Sequence, residues 1–257
     1  MPAAATRLAT DGFILLENCL DVIECMEWSH RVENAIEHSS SPGPLQTSVE
    51  QTQKTYGSRN LLAICPQVTE LLKFPLIQST LRDILGNRFG IVRGLYFDKP
   101  PGATWSLPWH QDLTIAVDRH VTSTNETTSS SSAEEFTKPT IKAGICHVEA
   151  PTWLLEQMLT VRIHLDAMQA HNGPVVVRKG SHTTGKLAQQ GERPSYDEIL
   201  KILCSAGTAM LMRPLLSHAS IACHPGCEEH RRTVHLELST VEFLPSGYRW
   251  NSFIQVC

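Results

Sequence analysis

"FGIVRGLYF", Phe89 to Phe97, is where this chain of 257 residues changes character. Its β-branched and aromatic residues read as a strand. Upstream, "GFILLENCL" reads as a short strand and turn, and "LDVIECMEWSHRVENAIEH" places Val22, Ile23, Met26, Val32 and Ile36 at near-helical spacing. Pro66 to Leu85 reads as two further helices, broken at Pro75 and ended by Gly86. Downstream, "LTIAV", "MLTVRIHL", "PVVVRK", "TAMLMRPLLSHAS" and "RRTVHLELSTVEF" are strand-like and separated by Asn-Gly, Gly-Ser and Pro-Gly turn signals. A helix at Tyr196 to Cys204 is expected to interrupt them.

The expected fold is therefore mainly β with flanking helices. A helical N-terminal layer, about 1–88, lies against a β core, about 89–245, within a single domain spanning 1–257. A double-sheet jelly roll or barrel suits this order better than a parallel α/β fold. "TSTNETTSSSSAEEFTKP", Thr122 to Pro139, is too polar to bury itself and reads as an exposed loop, a lid or a neutral insert, near 118–145.

A net charge of −4 gives no basic footprint, so nucleic acid is not an expected partner. No apolar run approaches the ~20 residues that span a bilayer, and the N-terminus has no secretory pattern. The 8 scattered cysteines read as reduced thiols, so a cytoplasmic protein is expected. Cys223, Cys227 and the neighbouring His224 and His230 offer zinc-type ligands, but the spacing is loose and a polar loop is the preferred reading.

"LPWHQD", Leu107 to Asp112, carries the chemistry. A His-x-Asp pair on a strand puts both side chains on one face. With a histidine from a neighbouring strand it forms the facial 2-His-1-carboxylate set that holds iron(II) and leaves the opposite face open. His218 in "AMLMRPLLSHAS" is the candidate third ligand, with Met212, Pro214, Leu216 and Ser220 expected on its face. Arg231 then opens a new strand, where its guanidinium fork suits a cosubstrate carboxylate. Arg232, next to it, should point the other way.

Rival pairs are weaker. After His164 and Asp166 too few strands remain to close a roll before His218, so Asp166 is read as ending a strand and capping the turn before Asn172-Gly173. His147 and Glu149 are placed in the loop region, with His147 either lining the pocket or exposed. His182 is read as a turn residue, since Arg193 after it lies in no strand pattern.

"FDKPPGATWSLPWHQD", "VRIHLDAMQAHNGPVVVRKGSH", "MRPLLSHAS" and "RRTVHLELS" together resemble the phytanoyl-CoA dioxygenase family of iron(II)- and 2-oxoglutarate-dependent oxygenases, over roughly Asp11 to Ser239. The resemblance implies a double-stranded β-helix (cupin-like) core with iron held by His110, Asp112 and His218. It implies that Arg231 and Ser220 bind the 2-oxoglutarate carboxylate, with Gln111 and Leu95 as further contacts. Arg162 stands where better-known members carry Trp and is expected to face the anionic cosubstrate; Arg59 is a looser basic candidate. The implied reaction consumes O2, releases succinate and CO2, and hydroxylates a C–H bond of a small-molecule substrate, the metal and cosubstrate carrying the hard chemistry. Because Asp112 is a carboxylate, oxygen transfer is expected rather than halogenation. Trp105, Trp109 and Trp153 are expected to pack in the core or shield the pocket. The alternatives are a cupin-type metal protein that uses no 2-oxoglutarate, a non-catalytic binding module, and a zinc protein.

Overall fold

The structure is a computed structural model, and residues 3–39, 57–119, 135–187 and 198–256 are described. Helix α1 (Ala3–Asp11) leads into strand β1 (Phe13–Leu16) and helix α2 (Val22–Glu37). Asp21 and Glu24 close a capping box on α2, each side chain bonded to the other's backbone N–H at 2.8 Å. The face that α2 buries is Cys25, Trp28, Ser29 and Val32. Val22, Ile23 and Met26, part of the apolar spacing that marks the helix, are 66%, 63% and 67% exposed. Trp28 has the largest apolar area on the helix, and it turns the stripe that contains it inward.

Strand β2 (Gly57–Ser58) and helix α3 (Leu61–Ile64) follow, then a 3-10 turn at Pro66–Lys73 and helix α4 (Pro75–Leu85). The expected break at Pro75 and stop at Gly86 are both present; Gly86 ends α4 with φ +78°. Strand β3 (Phe89–Lys99) opens the β-rich part, followed by β4 (Leu107–His110), β5 (Thr114–Arg119), β6 (Thr137–Lys142) and β7 (Ile145–Glu149). The short helix α5 (Thr152–Leu155) precedes β8 (Met158–His164), β9 (Val175–Arg178), β10 (Ile199–Lys201), β11 (Ala209–Met212) and β12 (His218–Ser220). The last strands are β13 (Arg231–Ser239), β14 (Tyr248–Trp250) and β15 (Ile254–Val256).

The large sheet runs β1-β11-β8-β13-β3-β15, with β2 also on β3; the second runs β10-β9-β12-β4 and the third β14-β5-β7-β6. All named pairings are antiparallel. The large sheet is covered on both faces, and period two sorts its side chains, except that the register shift opposite Glu237/Leu238 puts Ile91 and Arg93 on opposite faces. Ile14, Leu211, Val161, Ile163, Val234, Leu236 and Ile91 face the helices, forming the main core with Leu8, Trp28, Val32, Leu71, Leu72 and Leu81. The opposite face carries Arg93, Leu95, Phe97 and Lys99 on β3, Arg231, Thr233, His235 and Glu237 on β13, and Thr160, Arg162 and His164 on β8, in register across the strands. One sheet thus serves as core wall and as polar floor.

Three expectations need correction. In the region expected as a helix, Ile199–Lys201 is a strand paired with β9, and Cys204 bridges Met168. Leu200, Ile202 and Cys204 pack inward at period two, which overrides the helical reading. "TAMLMRPLLSHAS" is not one strand. Pro214 interrupts it, so Met212 lies in the large sheet and His218 in the second. The insert near 118–145 lies outside the described residues from 120 to 134, but its remainder is strand: β6 and β7 form a hairpin beside β5. The two-residue turn Ala143-Gly144 has φ +50° and +77°, the left-handed pair that such hairpins require.

Gly207 fixes the approach of the helical layer. Its carbonyl accepts from the N–H groups of Cys19 and Leu20 at 2.9 and 3.1 Å. Its φ is +80°, and an added Cβ would lie 2.0 Å from the Leu20 carbonyl oxygen. Gly207→Ala is expected to cost about 2–4 kcal/mol of stability, from left-handed strain plus overpacking. Urea unfolding measures this, and a loss under about 0.5 kcal/mol would show that the contact yields freely.

Candidate metal centre

His110 ends β4, Asp112 follows two positions on, and His218 begins β12. The β12–β4 pairing sets His218 directly opposite His110, and their ring centres lie 4.2 Å apart with the planes tilted by 49°. The Asp112 carboxylate lies 3.9 Å from His110 Nε2 and 3.7 Å from His218 Nε2. One ligand atom from each residue falls within 4.8 Å of the others, the only such set of three found among the described residues.

The tautomers favour a metal. His110 Nδ1 lies 2.8 Å from the Pro108 carbonyl and His218 Nδ1 lies 2.9 Å from the Leu216 carbonyl. A carbonyl only accepts, so both Nδ1 atoms carry the hydrogen and both Nε2 atoms present a lone pair. Burial pushes the His218 imidazole down to about 3, so it is neutral. The interior position of Asp112 would raise its carboxyl, but the neighbouring His218 and the permanently charged Arg162 hold it down to about 2. Two imidazoles and one carboxylate match a divalent ion such as iron(II).

Arg162 shares this centre. Its Nη2 donates to Asp112 Oδ2 at 2.9 Å and to His218 Nε2 at 3.0 Å. An ion held through His218 Nε2 would displace the second of these bonds, while the first is made to Asp112 and not to that nitrogen. Leu95 lies on the same level of the floor, opposite His235, which is itself opposite Arg162.

Arg231 and Ser220 meet four residues farther along β13, at 3.5 Å. Lys99 joins them. It is fully buried, its Nζ donates to Ser220 Oγ at 3.2 Å and to the Ile221 carbonyl, and it sits 4.3 Å from the centre of the Trp105 ring. Burial, then the Arg231 charge, push the lysine down to about 8, and burial pushes Arg231 down to about 10. Two buried cations thus share one hydroxyl. Sequence reasoning passed over Lys99, although period two from Leu95 runs through Phe97 to it.

Gln111 is not brought to the triad. It points away from its neighbours, and its amide bonds the Gly185 carbonyl at 2.9 Å, the Leu215 carbonyl at 2.7 Å and the Leu187 N–H at 2.8 Å. It ties the ligand-bearing segment to two loops. Arg59 lies apart from Arg231, beside Arg93.

The rival sets separate. His164 is buried on the floor, whereas Asp166 takes Arg232 Nε and Nη2 at 2.8 Å each on the other side of the sheet. The turn that Asp166 was expected to cap is held by Asn172, which bonds Gln169 N and the Ala167 carbonyl at 2.8 Å. His147 and Glu149 lie on β7, not in a loop, because the hairpin supplies a strand partner. His147 is 1% exposed, and Glu149 pairs with Lys138 at 2.8 Å. His230 pairs with Asp98, and the His224 ring accepts from Gly226 N, so these two histidines turn away from Cys223 and Cys227. His182 lies in a 3-10 turn at Ser181–Thr184, and Arg193 lies outside the described residues. Trp109 stacks under Arg178 at 4.4 Å, and Trp153 packs against the Leu154–Met158 core.

A β roll that presents two histidines and a carboxylate on one face defines the class as a double-stranded β-helix protein with a facial metal-binding set. The family model of phytanoyl-CoA dioxygenase (PhyH) matches residues 8–227, and the chain belongs to that family. Solved structures with the same fold include the apo form of EctD from S. alaskensis, with TM-score 0.67, 17% identity, and coverage of 99% of this chain and 86% of that one. They also include the non-heme alpha-ketoglutarate-dependent epimerase SnoN from nogalamycin biosynthesis (0.61, 14%, 95% and 88%) and the non-heme monooxygenase ThoJ (0.63, 17%, 92% and 76%). No curated protein matches the sequence. No helix among the described residues is long and apolar enough to cross a membrane.

Proposed function

We propose that this protein is an iron(II)- and 2-oxoglutarate-dependent dioxygenase that hydroxylates a C–H bond of a small molecule and releases succinate and CO2. His110, Asp112 and His218 hold the iron. Arg231, Ser220 and Lys99 bind the far carboxylate of 2-oxoglutarate, and Leu95 and Arg162 line the space between. Bound iron, with 2-oxoglutarate and O2, supplies the oxidising power. The chain's own residues orient the cosubstrate and exclude water.

One observation carries the reading. Two imidazoles and a carboxylate gathered on one face, and a buried cationic end with no carboxylate partner among the described residues, lie over the same polar floor of the large sheet, joined to it through Arg162 and Ser220. The cationic end favours this reading over a cupin that uses only metal, because two buried positive charges are costly unless an anion joins them. Supporting it, the chain belongs to the phytanoyl-CoA dioxygenase family, and the EctD and SnoN structures were solved with 2-oxoglutarate or alpha-ketoglutarate.

The test is anaerobic addition of iron(II) and 2-oxoglutarate, followed by air. A visible metal-to-ligand absorption band, then succinate in proportion to 2-oxoglutarate consumed, is the expected result. Absence of both, with iron bound, overturns the cosubstrate assignment.

A further inference from the structure

Past the metal centre, at the end of the floor opposite Arg231, lies a cavity of about 230 Å³ whose lining includes Arg59, Asn60, Arg93, Ala116, His147 and Asn251. Lys142 adds charge, its ammonium feeling both arginines. Arg93 is 8% exposed and His147 1%. Three cations therefore meet with few anions. Glu237 faces them, 3.4 Å from Arg93, and burial pushes it toward its neutral form against the pull of Arg93.

The cavity is built and unsatisfied. Arg93 Nε, His147 Nε2 and Asn60 Oδ1 are buried with no hydrogen-bond partner, an arrangement that costs stability unless a ligand or solvent completes it. Their polarity is fixed. His147 Nδ1 lies 3.0 Å from the Ile145 carbonyl, so it holds the ring hydrogen and Nε2 accepts. Burial, then the Arg93 charge, hold this imidazole down to about 4, so it is neutral at pH 7. Asn60 Nδ2 donates to the Ala143 carbonyl at 3.2 Å, which leaves Oδ1 as an acceptor. The cavity thus offers cationic forks for an oxyanion and two acceptors for a neighbouring O–H or N–H.

Its position suits the substrate. Arg93 and Lys99 lie on the same face of β3, six residues and therefore about 20 Å apart along the strand. Leu95, level with Arg162 and the triad, lies between them. We propose that this cavity binds the anionic group of the primary substrate, a carboxylate or phosphate with a hydroxyl or amino donor beside it. The reacting carbon then projects toward His110, Asp112 and His218. The inference rests on the oxygenase reading above and names the substrate class for that site.

The test uses the metal-free full chain and backbone-amide NMR, with inorganic phosphate, acetate and glycolate as probes. Expected are shifts at Asn60, Arg93, Ala116 and His147, with glycolate binding several-fold more tightly than acetate because only it donates a hydroxyl. The double variant Arg59→Ser/Lys142→Ser should bind phosphate and glycolate about tenfold more weakly while melting at the wild-type temperature. A response to phosphate alone assigns a phosphorylated substrate, and a response to glycolate alone a carboxylate. Shifts confined to Lys99, Ser220 and Arg231, unchanged affinity in the folded double variant, or no response to any probe overturns the inference. If the double variant unfolds, Lys142→Ser alone provides the same comparison. The anaerobic absorption band of the wild-type protein separates the two claims. With the band present and no anion bound here, only this inference fails; with the band absent, the oxygenase reading fails.

Discussion

Asp112→Ala is expected to abolish iron retention and 2-oxoglutarate turnover together. Removing the carboxylate deletes the only anionic ligand of the set, and it also frees Arg162, whose guanidinium now bonds Asp112 at 2.9 Å and His218 at 3.0 Å. With the aspartate gone, the same guanidinium faces the His218 lone pair without that carboxylate to hold it, and its charge opposes a divalent cation in the same space. Changing a residue that merely orients a ligand already costs about 10–100-fold in metal affinity; losing the ligand and its charge is expected to exceed about 100-fold. Calorimetric titration of iron(II) under argon, alongside succinate release, measures both. Iron affinity within threefold of wild type would mean that the ion sits elsewhere.

Lys99→Met is expected to move stability and binding in opposite directions. The lysine folds from a solvated state near pKa 10.4 to a buried one of about 8. A base whose folded pKa is lowered destabilises the fold wherever it must stay protonated, so the penalty is full below pH 8 and fades as pH rises toward 10.4. The difference of roughly 2.5 units corresponds to about 3 kcal/mol as an upper figure. Methionine has a similar volume and no charge, so the ligand-free variant should be more stable at pH 7 by up to that amount. It also loses a charge-assisted bond to the cosubstrate carboxylate, weakening 2-oxoglutarate by about 10–100-fold. Urea unfolding without ligand, and titration of 2-oxoglutarate into the iron-loaded protein, give the two numbers. A variant that is less stable and binds normally would make Lys99 a structural residue.

The elements were legible where their periodicity was unambiguous. Pro75 and Gly86 bound a helix, and Phe89 opens the long strand. Local pattern failed where two periods competed. Ile199 to Cys204 carries enough apolar residues for a helix, and only the pairing with β9 selects a strand. On α2 the pattern marks a helix, but the apolar residues exceed one face, so packing against the large sheet chose Trp28 over Met26.

The metal set was suggested by His110-Gln111-Asp112 read as a pair on one strand; in the structure β4 ends at His110, and Asp112 lies in the tight turn beyond it, where the Leu113 N–H bonds the Gln111 carbonyl. His218 needed the further argument that a roll must close. Arg231 and Arg232 were separable by alternation, and they do part, one to Ser220 and the other to Asp166. Lys99 and Arg93 were missed because alternation along β3 tells which face a cation takes but not what lies opposite it on β13.

By itself, the sequence determined the long strand from Phe89, the helix break at Pro75 and stop at Gly86, and a histidine and a carboxylate two positions apart in one short segment, since these depend on bond geometry and neighbouring side chains. Tertiary structure alone decided that one face of a single sheet would gather the cations 93, 99, 162 and 231, with a metal set between its two charged ends. That gathering comes from strand register across more than a hundred residues of chain. Register is set by the burial of the sheet's other, apolar face against the helices, not by the charged residues themselves.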